Sequence, residues 1–272
     1  MNYKYFLAAF LTLNSLALHA QTRWFEVELM IFQRNVALSS QTENLSQDNI
    51  KLNFSRSIPL LKIPKSTNCA PNSSCLSQKV PLLINKSEFN SKQTGFVLLD
   101  NSQLQLTKQR QSLSRHRLFK PLLHVVWRMP VRSRNKARPI RIFAGKNLAN
   151  ITLNGKKPNV KYINDKWEID GNLKIYLAHY LYVDSQLIIR KRVMQTVTND
   201  VQEEDAVLDI VNSQNGAQVI RPNDTIIPFK HAKHSVIKEV LFDQNRRLRS
   251  GEIHYFDHPL MGMLIQIRKI KA

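Results

Sequence analysis

Between Arg23 and Arg34 apolar side chains recur at every second position: Phe25, Val27, Leu29 and Ile31 fall on one face. Glu26, Glu28 and Arg34 share the other face with Trp24 and Phe32. A period of two fits a strand with one buried face and fits no helix. The same period governs Leu173 to Val183. There Ile175, Leu177, His179, Leu181 and Val183 alternate with Tyr176, Ala178, Tyr180 and Tyr182. Asp184-Ser185 is expected to turn the chain, and Leu187 to Val193 to return. Pro121 to Arg128 is apolar on both faces, as a central strand would be, and Pro130 is expected to stop it. Ile140 to Ala144 reads as a short strand. Gly251 to Phe256 and Leu260 to Ile267 read as a last hairpin about Asp257-His258-Pro259. One helix stands out. Asn101 or Ser102 can cap it, it runs to about Arg117, and Leu106 and Leu113 mark its inner side. These elements predict an α+β fold: a mainly antiparallel β-sheet with hairpins, one clear helix, and long irregular insertions at about 37–93 and 196–235.

The first twenty residues have a different texture. Lys4 gives a basic flank, Phe6 to Leu18 is nearly continuously apolar, and His19-Ala20 ends the run on a small residue. That order predicts a secretory signal peptide over residues 1–20, leaving a single domain over 21–272. A retained membrane anchor is the alternative, although the run is shorter than the roughly 20 apolar residues a bilayer span needs. No later stretch is long or apolar enough to span, so no transmembrane segment is expected after cleavage. Cys69 and Cys75 flank a Pro-Asn-Ser turn. In an oxidising compartment they are expected to form a disulfide; a two-cysteine metal site is the alternative, with no histidine near in sequence to complete it.

Charge narrows the partners. The chain carries 40 Lys and Arg against 20 Asp and Glu, a net +20. A field of that sign draws anions. An exported chain meets no chromosome, so nucleic acid is not expected. The polyanions left are anionic lipid, lipopolysaccharide and the stem-peptide carboxylates of the cell wall.

Three constellations invite a chemical reading. His254, Asp257 and His258 are potential zinc ligands, but their spacing matches no strong zinc motif, and a turn needs the same residues. Glu26 with Glu28, and Glu168 with Asp170, are carboxylate pairs on one strand face, as glycosidase chemistry requires. In so basic a chain such pairs more often bond cross-strand Arg or Lys. No nucleophile elbow or Ser-x-x-Lys pair supports covalent hydrolysis. Catalytic residues, metal and cofactor are therefore all expected to be absent, and the chain is read as a binder. Arg246, Arg247 and Arg249, like the Arg132–Arg141 cluster, can clamp carboxylates, since guanidinium forks suit planar anions. Tyr176, Tyr180 and Tyr182 can stack on sugars, or can pack under the helix.

The Arg23–Arg34 segment, HVVWRMP at 124–130, WEIDG at 167–171 and RRLRSGEIHYFDHPLMG at 246–262 together resemble the CsiV-like family of periplasmic peptidoglycan-binding proteins. The resemblance spans both ends and the middle, about half of the mature chain. It implies a non-catalytic periplasmic role: binding peptidoglycan, promoting cell-wall synthesis and maintaining cell shape, by supporting a class A penicillin-binding protein and its outer-membrane lipoprotein activator. A zinc- or carboxylate-dependent wall hydrolase and a protein-only envelope adaptor are the competing readings.

Overall fold

The computed structural model describes residues 23–37, 50–63, 79–148, 166–197 and 232–270. The expected leader and the Cys69–Cys75 pair lie outside the described residues. The described residues form ten strands, β1 (Arg23–Arg34), β2 (Ile58–Pro59), β3 (Val97–Leu98), β4 (Phe119–Ser133), β5 (Ile140–Asn147), β6 (Trp167–Leu177), β7 (Leu181–Val197), β8 (Ala232–Leu248), β9 (Ile253–His258) and β10 (Met261–Lys269), and two α-helices, α1 (Ser91–Thr94) and α2 (Thr107–Arg115). The α+β expectation holds.

The strands form two sheets. Sheet A runs β3-β4-β1-β10-β9, antiparallel throughout, and sheet B runs β2-β5-β6-β7-β8, antiparallel except at β2. They join where the end of β4 (Arg132, Ser133) pairs in parallel with the end of β6 (Tyr176, Leu177). The alternation seen in sequence decides which face is buried. Val27, Leu29 and Ile31 from β1, Val125 and Trp127 from β4, and Ile265 and Ile267 from β10 meet Ile169, Leu173, Val183, Leu187 and Phe242 from sheet B in one core. At roughly 1.5–3 kcal/mol for each large side chain removed from water, this shared core is what holds the sheets face to face.

Three expectations change. The hairpin turn is not at Asp184-Ser185 but at 178–180, where the Ala178 N–H donates to the Tyr180 carbonyl (2.9 Å). A three-residue turn puts Leu177 opposite Leu181, so both stay on the core face. Ser185 lies within β7, fully buried, its hydroxyl donating to the Gln244 carbonyl. Pro130 does not end β4. Between Arg128 and Arg132 the β3 side of β4 is open, and a residue lacking an N–H is tolerated where a strand has a partner on one side only. Pro121 sits at a bulge opposite Phe32, for a similar reason. The helix is shorter than expected. Asp100 caps a single 3-10 turn at Asn101–Gln103, and α2 itself begins only at Thr107.

The expected 196–235 connection also loses its ends to strands: β7 runs on to Val197 and β8 begins at Ala232. Meanwhile, the described parts of the expected 37–93 insertion are sparse in regular structure but not peripheral. Leu60, Leu61, Val80, Ile84 and Phe89 from them enter the core.

Candidate functional site

Each sheet keeps an outer face, and the two faces treat their charges differently. On sheet A, Glu28 is fully buried. One of its carboxylate oxygens takes the His124 Nε2 (2.8 Å) and the Leu106 N–H (2.8 Å); the other takes Arg268 Nη1 (2.8 Å) and the Gln105 N–H (3.0 Å). Those two amides are free donors at the start of α2, so Glu28 serves as its cap from a distant strand. Burial alone would raise the Glu28 pKa. The hydrogen bonds from His124, Arg268 and the two amides outweigh it and bring the value down to about 2. Beside it, Glu26 lies in register with both Arg128 and Arg268 and is bonded by each. The segment leading into α2 covers this network, with Leu99 and Leu104 packed on Val126.

The second carboxylate pair is committed in the same way. Lys120 bonds Glu168 (3.2 Å) and Arg141 bonds Asp170 with two nitrogens (3.0 and 2.9 Å). All four carboxylates weighed for catalysis thus pair with Arg, Lys or His, Glu26 with its cross-strand neighbours and Glu168 with a lysine of the other sheet. The three zinc candidates are also engaged separately. His254 Nε2 accepts the Arg249 N–H (3.1 Å), His258 Nδ1 accepts the Leu260 N–H (3.1 Å), and Asp257 binds the Arg34 guanidinium and the Tyr255 hydroxyl.

The outer face of sheet B is built otherwise. Register sets three rows across β6, β7 and β8: Asn172–Gln186–Asp243, Lys174–Asp184–Asn245 and Tyr176–Tyr182–Arg247. With strands about 4.8 Å apart and same-face residues nearly 7 Å apart along each strand, this grid covers roughly 10 by 13 Å. Its charges balance, Lys174 and Arg247 against Asp184 and Asp243, and none of the four has an ion-pair partner among the described residues. Gly171 makes the grid possible, because a Cβ there would strike the Gln186 carbonyl and the strands could not close.

Tyr176 and Tyr182 stack with ring centres 5.3 Å apart and planes 9° apart. Arg134 and Lys174 approach the Tyr176 ring (5.6 and 5.8 Å), and the Asn245 amide donates to its hydroxyl. Tyr176 is therefore buried, a support for the grid rather than an open platform. Tyr182 is half-buried, while Tyr180, in the turn, is exposed with Arg247 over its ring at 4.4 Å. The three arginines read together in sequence separate here. Alternation puts Arg247 on the tyrosine face and Arg246 on the other, and Arg249 lies beyond the end of β8. Arg246 turns to β9, donating to the Tyr255 carbonyl and lying over Phe256, and Arg249 pairs with Glu252 at 3.7 Å.

Asn172, Lys174, Asp184, Gln186, Asp243 and Asn245 were not singled out in sequence. Two errors hid them: Asp184 was assigned to a turn, and β8 was not recognised as a strand. The alternation of Val240 and Phe242 and the parity of Leu177 with Leu181 are the signals that would have found them.

A family model described as "Peptidoglycan-binding protein, CsiV" matches residues 3–270, nearly the whole chain. The chain belongs to the CsiV family. The resemblance carried by four separate segments thus extends over almost every residue, including the β7–β8 hairpin and the stretches that carried no motif. CsiV membership makes peptidoglycan the relevant ligand and the cell envelope the relevant place. Searches of curated proteins and of solved structures find no match. Among the described residues of this CsiV chain, no helix is long and apolar enough to cross a membrane.

Proposed function

We propose that the chain holds peptidoglycan in the periplasm on the outer face of β6, β7 and β8, without cleaving it, and thereby promotes cell-wall synthesis and maintains cell shape. One observation carries the reading: this face presents Tyr182 and four charged side chains, Lys174, Asp184, Asp243 and Arg247, that have no ion-pair partner among the described residues, with Tyr180 exposed in the adjoining turn, where sheet A has paired its charges with one another. Sugar rings and N-acetyl groups need such a surface, an aromatic face with donors and acceptors beside it. Binding without catalysis agrees with the four carboxylates weighed for glycosidase chemistry, Glu26, Glu28, Glu168 and Asp170, each of which is committed to a cation. The family resemblance extends the role to supporting a class A penicillin-binding protein through its lipoprotein activator. The leader over residues 1–20 and the Cys69–Cys75 disulfide belong to the same reading of an exported chain.

An adaptor role has its own supporting feature. β7 and β8 stay paired from Leu181↔Leu248 to Val197↔Ala232, whereas β6 pairs with β7 only as far as Ile169↔Ile189. The rest of the hairpin continues as a two-stranded ribbon, on which a partner protein can pair or pack.

Co-sedimentation with purified sacculi tests the main reading. The native chain pellets with them, and Tyr182→Ala/Arg247→Ala stays largely in the supernatant while remaining folded. Equal pelleting of the two proteins would remove the grid from the wall-binding surface.

A further inference from the structure

A second concave site opens beside the grid, at the junction of the two sheets. Its volume is about 210 Å³. Phe96, Met129 and Ile175 form an apolar floor, and Arg132, Lys136 and Arg138 stand on its rim. No acidic side chain lines it. Arg132 and Lys136 are exposed and make no ion pair among the described residues, while Arg138 donates only to the Arg56 carbonyl (3.3 Å). The cleft and the grid share a wall: Ile175 faces the cleft, Tyr176 faces the grid, and Arg132 pairs with Tyr176 along the backbone.

The shape restricts the ligand. Pockets for drug-sized molecules run to about 300–1,000 Å³, so this one suits one or two small residues rather than a run of sugar rings. Three cations above an apolar floor select a negative group attached to small apolar side chains. A guanidinium meets a planar carboxylate with two parallel hydrogen bonds. We infer that this cleft takes the carboxylate end of a short peptide with small apolar side chains, as at the free end of a wall stem peptide, while the grid takes the glycan. The inference rests on the peptidoglycan reading and divides that polymer between two subsites: a charge-balanced one for sugar and a cationic one for peptide.

The test uses the full chain and two soluble probes. One is a stem pentapeptide ending in D-Ala-D-Ala, supplied with a free C-terminus or as the C-terminal amide. The other is glycan strands freed of peptide. Titration calorimetry is expected to show the free-acid peptide binding at least about tenfold tighter than the amide. Arg132→Gln/Lys136→Gln, both at exposed positions, is expected to lose that preference and to keep its affinity for peptide-free glycan within about twofold. Equal binding of acid and amide, or a double variant that binds the acid peptide like the native chain, would overturn the cleft assignment. In either case, retained binding of peptide-free glycan leaves the wall-binding reading standing. If the native chain holds neither probe, both fall together.

Discussion

On the outer face of sheet A, Glu26, Glu28, His124, Arg128 and Arg268 bond one another, with Glu28 and His124 shut away from water. On the outer face of sheet B, Lys174, Asp184, Asp243 and Arg247 stand in an equally regular register with no ion-pair partner among the described residues. Both faces alternate apolar and polar residues and both carry cations, so composition does not separate them. What separates them is cover. The segment entering α2 lies over sheet A, and a charge under such a lid must be neutralised in place because leaving it unpaired costs several kcal/mol. Among the described residues no helix covers β6, β7 and β8; the segment at 53–57 reaches only Asn172 at one corner, and solvent supports the charges until a ligand takes over. The first face is therefore a stability device, and the second is the face we propose for binding.

Mutations that exchange these roles would break the comparison. The largest effect is expected at Glu28→Ala, which strands Arg268, His124 and two helix-start amides; urea unfolding should show a loss of about 3–5 kcal/mol. A loss below about 1 kcal/mol would mean the network is dispensable.

Acid probes the same network without mutation. Glu28 sits at about 2 in the folded chain against 4.5 unfolded. Between those values the unfolded state binds more protons, so stability declines as pH falls. The contribution is complete above pH 4.5 and is lost by pH 2. It amounts to up to about 3 kcal/mol, and Glu28→Gln should remove that part of the pH dependence.

The sheet B face should behave in the opposite sense. Tyr182→Ala/Arg247→Ala is expected to weaken sacculus binding by about tenfold or more, some 1.4 kcal/mol, with a smaller change in the unfolding midpoint. The smallest effect belongs to Arg249→Ala. Its pair with Glu252 is long and exposed on both sides, and the unfolding free energy should move by no more than about 0.5 kcal/mol.

How far the sequence revealed all this follows from the same physics. Wherever one face is core and the other is polar, period-two alternation shows through. β1 was readable residue by residue, and so was the pairing of its glutamates with basic neighbours. β8 was not, because its last turns run Asp243 to Arg247 without an apolar residue, and a strand at the sheet edge needs little burial to be held by its neighbour. The Tyr-rich hairpin showed its strands but hid its turn, since a three-residue loop preserves the parity that alternation detects and Asp-Ser imitates a turn signal. The tyrosines and Arg247 were therefore visible as residue types, while the grid they belong to needed the register. Arg246 and Arg249 stand next to Arg247 in sequence, but alternation puts Arg246 on the other face and Arg249 lies past the end of β8, beside Glu252.

Backbone-amide chemical-shift mapping with a soluble disaccharide muropeptide tests the account most directly. Shifts concentrated at Asn172, Lys174, Tyr182, Asp184, Asn245 and Arg247, with the amides around Glu28 and Arg268 unmoved, are the predicted result. A perturbed patch on the outer face of sheet A, with β6, β7 and β8 silent, would contradict it.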